Sequence, residues 1–250
     1  MGQIRKRDLI RVLLRSFYIQ SSWNPERLLA LGFCFCLVPI ARRLMNSKSE
    51  LAEFLQRHLE FFNSHPYLAT YALGAVANIE EQAIVKRWED KRPIIVFKNR
   101  IIGPLGAIGD SLFWQLIRPA LGALTIVLLW IFGAWASIFY LVAYNMAHLT
   151  VRFKGLFDSY AKGFDVIRIL SLRGIQKYLN PLKSLVSMLL GVELVVLMRK
   201  IQVETGSWKA IVIFAAAAVV SFLAIRKQNI TIDLVILIVI CGSTIIGLVI

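Results

Sequence analysis

From Pro119 onward the sequence is a succession of apolar runs near bilayer-crossing length, and before it the apolar runs stop at about half that length. This contrast limits the fold more than any other feature. "PALGALTIVLLWIFGAWASIFYLVAYNM" (119–146) suffices for one tilted span, or one span plus an interfacial continuation. The stretches 182–198 and 209–225 sit at the lower limit, and 231–250 meets it. Only "RKQNI" separates the last two, which predicts a tight antiparallel hairpin. "LLALGFCFCLVPIA" and "HPYLATYALGAVANI", about fourteen residues each, fit buried, re-entrant or interfacial segments better than lipid-facing spans. Half-length pieces at membrane depth need protein or a water-filled cavity around them.

The expected fold is therefore an all-α, polytopic integral membrane protein with N-terminal amphipathic helices, re-entrant hairpins and several transmembrane helices. Three regions follow: residues 1–60, amphipathic or interfacial helices and an arm; 61–118, a re-entrant hairpin region; and 119–250, transmembrane helices with a basic loop at 148–183. Composition agrees, with 58% hydrophobic and 18% charged residues. The formal charge of +14, from 29 Lys and Arg against 15 Asp and Glu, comes from bases that flank apolar runs. That placement indicates cytoplasmic loops and anionic headgroups rather than nucleic acid. Arg5, Lys6, Arg7, Arg11 and Arg15 favour a cytoplasmic N-terminus. No cleavable signal peptide is evident, and Lys6 stands where a myristoylation motif needs Ser or Thr.

Cys34, Cys36 and Cys241 make neither a disulfide framework nor a metal set, and the first two read as core filler. No metal and no cofactor are expected. Trp130, Trp135 and Trp208 read as headgroup-level anchors. Glu193 interrupts an apolar run, so it either pairs with an arginine such as Arg118 or Arg199 or lies near the interface. His58 and His148 are isolated, no nucleophile–histidine–acid order stands out, and nothing resembles a self-contained enzyme.

The chemistry concentrates in "HLEFFNSHPYLATYALGAVANIEEQ", which sets Asn63, His65, Glu80, Glu81 and Gln82 around an apolar segment. A helix there places Asn78, Glu81 and Gln82 on one face, able to fork around adjacent hydroxyls of a ligand. The competing reading makes Asn63 or Ser64 an N-cap and the acids a solvated helix end. "KRWEDKRPIIVFKNR" reads as a polar connection. In "IIGPLGAIGDSLFWQLIRPA", Gly103, Pro104, Gly106 and Gly109 permit a sharp reversal or a close backbone approach, and Asp110 is either a site acid or a helix N-cap. Interrupted segments of this kind border substrate sites in transporters. A phosphate loop is excluded, because no Lys-Ser or Lys-Thr follows.

Together with "SSWNPERLLALGFCFCLVPIARRL" and "YAKGFDVI", these blocks closely resemble the IID membrane subunit of mannose-family sugar phosphotransferase systems, in the same order from about residue 10 to 170. The resemblance implies a IIC membrane partner, a trimer of IIC–IID heterodimers, and inward passage of a hexose in the bacterial inner membrane. A cytoplasmic IIAB component would donate the phosphoryl group, so no phosphohistidine is expected here. "SWNPERLLALGFCFCLVP" leans toward mannose, glucose and glucosamine over amino-galactose sugars. By motif, Asn63, His65, Glu80, Glu81, Gln82 and Asp110 become substrate-binding candidates, with Glu81 and Asn63 holding the hexose, and Gly103, Pro104, Gly106 and Gly109 form the turn. The alternative is a docking subunit that scaffolds IIC without touching sugar. The turn reads "GPLGAIGD" where the family usually has an alanine followed by glycine, and past residue 170 the likeness fades around Glu193.

Overall fold

A computed structural model describes residues 3–169, 172–205 and 212. Among these residues all regular structure is helical, apart from isolated bridges joining Asn24, Leu28 and Phe62. Residues up to Ser187 form one compact unit, and beyond it the described part is the remainder of the last long helix and residue 212. The hairpin expected over 209–250, and Trp208 with it, lie outside the described residues.

Helix α1 (Lys6–Ser16) is amphipathic and turns Leu9 and Val12 inward. Helix α2 (Ala30–Leu44) contains the first half-length apolar stretch and buries Cys34 and Cys36, both free thiols. Helix α3 (Lys48–His58) opens with a capping box: Ser47 Oγ accepts from the Glu50 N–H, and the Glu50 carboxylate accepts from the Ser47 N–H. Helix α4 (Ala69–Val85) is the centre of the molecule. It packs most extensively on α7 (Trp135–Lys162), with α1, α2 and α5 (Arg92–Gly109) around it. Being surrounded by protein is what allows α4 to be short. Two glycines bring α4 and α7 together: a Cβ on Gly74 would lie 2.1 Å from the Leu156 carbonyl oxygen, and one on Gly155 2.6 Å from the Tyr71 ring. Small residues at helix crossings have this function in membrane proteins.

Several boundaries differ from the sequence expectations. "KRWEDKRPIIVFKNR" is a connection only to Lys91; α5 starts at Arg92 with Pro93 in its first turn, where a missing N–H costs nothing. The reversal expected at Gly103, Pro104, Gly106 and Gly109 does not occur. α5 runs through them into an eight-residue π-helix, Asp110–Ile117, and then into α6 (Arg118–Phe132), so Asp110 caps nothing. Pro104 removes one backbone donor inside the helix. The break comes later, at Gly133, whose φ of +58° suits a residue without a Cβ. It divides the apolar run 119–146 into α6 and α7, which pack against each other. The basic stretch from 148 is not a loop either. α7 carries it to Lys162, and only Gly163, at φ +52°, stops the helix before a 3-10 turn at Gly163–Asp165, α8 (Val166–Ile169) and α9 (Leu172–Thr205). Glu193 lies half-buried on α9.

Arg92–Leu129 and Leu179–Lys200 are long and apolar enough to cross a membrane, and only 17% and 7% of their most apolar windows are buried within the chain. Their apolar sides therefore need lipid or another protein.

Candidate functional site

The polar residues of the 58–82 block do not converge on one pocket. α4 carries His65 just before its first turn and the acids in its last, so about 18 Å of helix separates the two ends. Asn63 and Ser64 cap nothing, since α4 starts at Ala69 without a side-chain cap.

At the C-terminal end, adjacent acids take different partners because successive helical residues point about 100° apart. Glu80 is fully buried. Its Oε1 accepts from Arg57 Nε at 2.9 Å and from His58 Nε2 at 2.9 Å, and its Oε2 accepts from Arg57 Nη2 at 3.1 Å. The guanidinium grips the carboxylate with two donors, the strongest side-chain geometry for such a pair. Burial holds His58 below the ordinary histidine range, against the upward pull of its Glu80 hydrogen bond. The ring is thus neutral, with Nε2–H donating. The buried Lys98 of α5 donates to the Arg57 carbonyl at 3.1 Å and closes the cluster. Glu81 points elsewhere: Oε1 accepts from the Ile4 N–H at 2.7 Å and Oε2 from the Tyr160 hydroxyl. Gln82 donates to Asn78 Oδ1 at 2.6 Å, and that oxygen lies 2.3 Å from where a Cβ on Gly163 would sit. Glu80 and Glu81 thus tie α3, α7 and the N-terminal arm to α4, while the Gln82 bond stays within α4.

At the other end, His65 meets the glycine-rich helix. A Cβ on Gly109 would fall 2.2 Å from the His65 Cβ, and one on Gly106 4.0 Å from Ser64 Cα. Close approach, rather than reversal, is what glycine supplies here. The His65 ring stacks on Phe113 (5.2 Å, 17°), and its Nδ1 accepts from the Tyr67 N–H at 3.3 Å, which leaves Nε2 protonated. Burial, reinforced by the nearby Arg152 charge, pushes its pKa down to about 4. Tyr67 is the hub of this end. His148 stacks on its ring at 4.7 Å, the Arg152 guanidinium lies 5.0 Å away, and its hydroxyl meets that of Tyr144 at 3.1 Å. Arg152 also donates to the Ser16 carbonyl and hydroxyl. Among the described residues, Ser64 Oγ, His65 Nε2, His148 Nδ1 and Arg152 Nε are buried without a protein partner. Asn63 and Asp110, next to this joint in sequence, are exposed. Gly103, Ala107, Asp110 and Trp114 follow at spacings of three or four along one exposed helix side.

Sequence reasoning missed Arg57, Lys98, Tyr67, Tyr160 and Arg152, and set His58 and His148 aside as isolated. The signal for the first pair was available: an acid as deep in an apolar run as Glu80 must find a cation. No group of three or more His, Cys, Asp or Glu able to hold a metal occurs among the described residues.

A family model described as PTS system mannose/fructose/sorbose family IID component matches residues 3–249, including the C-terminal third where the motif likeness fades. The chain is 35% identical over 167 residues to the PTS system mannose-specific EIID component of Escherichia coli K12, covering 66% of this chain and 59% of that one. It is 31% identical over 175 residues to the fructose permease IID component of Bacillus subtilis, covering 70% and 64%. The aligned region thus spans less than two-thirds of either relative. Among solved structures, one titled "CryoEM Structure of Mannose Transporter ManYZ and Microcin E492 (MceA) complex" matches with a TM-score of 0.62 and 32% identity, over 77% of this chain and 70% of that chain. Another, titled "Structure of membrane protein", matches with a TM-score of 0.70 and 33% identity, over 76% and 70%. The chain belongs to the IID-component family of the mannose/fructose/sorbose phosphotransferase systems.

Proposed function

We propose that this chain is the multi-pass, inner-membrane IID subunit of a phosphoenolpyruvate-dependent permease, and that it forms with a IIC subunit the path along which a mannose-class hexose moves toward phosphorylation by IIAB. One observation supports this reading most: the Asp110 carboxylate is exposed on a helix long and apolar enough to cross a membrane. A charge facing lipid at that depth costs several kcal/mol, about 2.5–3.5 on insertion scales. A partner or an aqueous sugar path on the side formed by Gly103, Ala107, Asp110 and Trp114 removes that cost. The small residues admit a close helix, Asp110 and Asn63 offer acceptors and an amide to hydroxyls, and Trp114 offers a ring face.

Among the sugar-binding candidates, Asn63, His65 and Asp110 then border the path, while Glu80, Glu81 and Gln82 hold the scaffold. Asp110→Asn and Asn63→Ala should each lower phosphoenolpyruvate-dependent mannose uptake in vesicles by roughly tenfold or more, the loss of a buried hydrogen bond to substrate, with co-purification of IIC unchanged. Uptake at the wild-type rate in both variants contradicts the assignment. Engagement of both Glu80 oxygens and both Glu81 oxygens by protein groups favours the second reading, a scaffold that never touches sugar. Bound sugar contacting IIC alone would establish it.

A further inference from the structure

The N-terminal region presents a surface that the sugar path does not use. α1 faces outward with Arg7 and Arg11; Ile10 between them is exposed, and beyond them Leu14, Phe17, Tyr18 and Trp23 are 59%, 46%, 63% and 57% exposed. Large apolar side chains this open, on a helix and the turns that follow it, are not what a water-facing surface carries. The sign of the charge is equally one-sided. Asp8, the single acid of α1, is turned inward, where it lies 3.7 Å from Arg11 and 3.8 Å from Arg43 and accepts from the Arg5 N–H at 3.1 Å. Apart from that pairing of Asp8 with Arg11, the helix carries no acid to offset its outward charge. The Arg15 guanidinium lies over the Phe35 ring, 4.5 Å from its centre, while donating to the Phe35 carbonyl, which extends the same surface onto α2.

We propose that this surface binds anionic phospholipid headgroups, with α1 lying in the plane of the bilayer surface. Arginines beside the apolar strip would contact phosphates while Leu14 and Phe17 enter the acyl boundary, and Tyr18 and Trp23 sit at headgroup level as amphipathic rings do. The charge complementarity selects acidic lipid over zwitterionic lipid, because each basic group near an acidic surface contributes a several-fold preference. The span Arg92–Leu129 of the same chain would keep the helix at the membrane, so binding needs no free-energy term for recruitment from solution.

The test uses the full chain, alone and with the co-expressed second membrane subunit, in nanodiscs of phosphatidylcholine or of phosphatidylcholine mixed with phosphatidylglycerol. Nitroxide labels on Leu14→Cys and, separately, Phe17→Cys, with Cys34, Cys36 and Cys241 replaced by alanine, report immersion from collisions with oxygen and with a water-soluble relaxant. Both labels should be immersed in the acidic discs, with a lipid-to-water collision ratio roughly tenfold above that in phosphatidylcholine alone. Arg7→Gln with Arg11→Gln, or high salt, should abolish the difference. Equal immersion in both lipids overturns the proposal, as do labels in water in both. Labels shielded from lipid and water alike by the second subunit also overturn it, and would make this surface a protein interface.

Discussion

Replacing Glu80 by glutamine should cost more than any surface change in this molecule. The carboxylate is fully buried and accepts three hydrogen bonds, two from Arg57 and one from His58. Glutamine keeps one oxygen, places an NH2 against guanidinium donors, and leaves Arg57 charged and unpaired in the interior. Breaking one side of a buried pair in this way costs about 3–5 kcal/mol. At roughly 2–4 °C per kcal/mol for a chain of this size, the midpoint of thermal unfolding in detergent should fall by about 6–20 °C. The double variant Arg57→Met with Glu80→Met removes both charges, and Met has similar reach, so it should regain most of that loss. Sugar affinity of the fraction that remains folded should not change, because Glu80 supports the scaffold. A Glu80→Gln variant as stable as the parent, or a double variant no better than the single one, would refute the reasoning.

Two further outcomes follow from the packing and the histidines. Gly74→Ala should lower thermal stability by about 1–3 kcal/mol, since its Cβ would overlap the Leu156 carbonyl on a packed helix, whereas Gly122→Ala, with open space around it, should be neutral or stabilising; equal midpoints for the two variants would dismiss the close α4–α7 crossing. Stability should be full above about pH 6.5 and decline below it, because the unfolded chain protonates His58 and His65 there while the fold holds both neutral, and the His65 share should be exhausted near pH 4. Tm measured against pH checks this, and a rise on acidification would contradict the sign.

Length and periodicity told most about the fold. The amphipathic α1, the buried half-length helix α4 and the apolar run 182–198 within α9 were legible, because burial and lipid impose apolar runs of set length; the long helix over Arg92–Leu129 was not, since its first half reads as a connection and a turn. The path of the backbone between them was not. Glycine signals both a break and a close approach, and the letters are identical in the two cases: Gly133 and Gly163 stop helices, while Gly74, Gly106 and Gly109 sit inside them. The site was legible in part for a related reason. The sequence places Glu80 beside Glu81, yet their partners, Arg57 and Tyr160, lie 23 and 79 residues away and depend on how α3 and α7 fold back. The pairing of His65 with Gly109 was equally out of reach, although both residues stood out separately.

The most direct test is a density map of this chain purified with its second membrane subunit in the presence of mannose. A helix of that subunit is expected against Gly103, Ala107 and Asp110, with sugar within hydrogen-bonding distance of Asp110 or Asn63. Lipid on that side of the helix, with the sugar held elsewhere by the second subunit alone, would contradict the account.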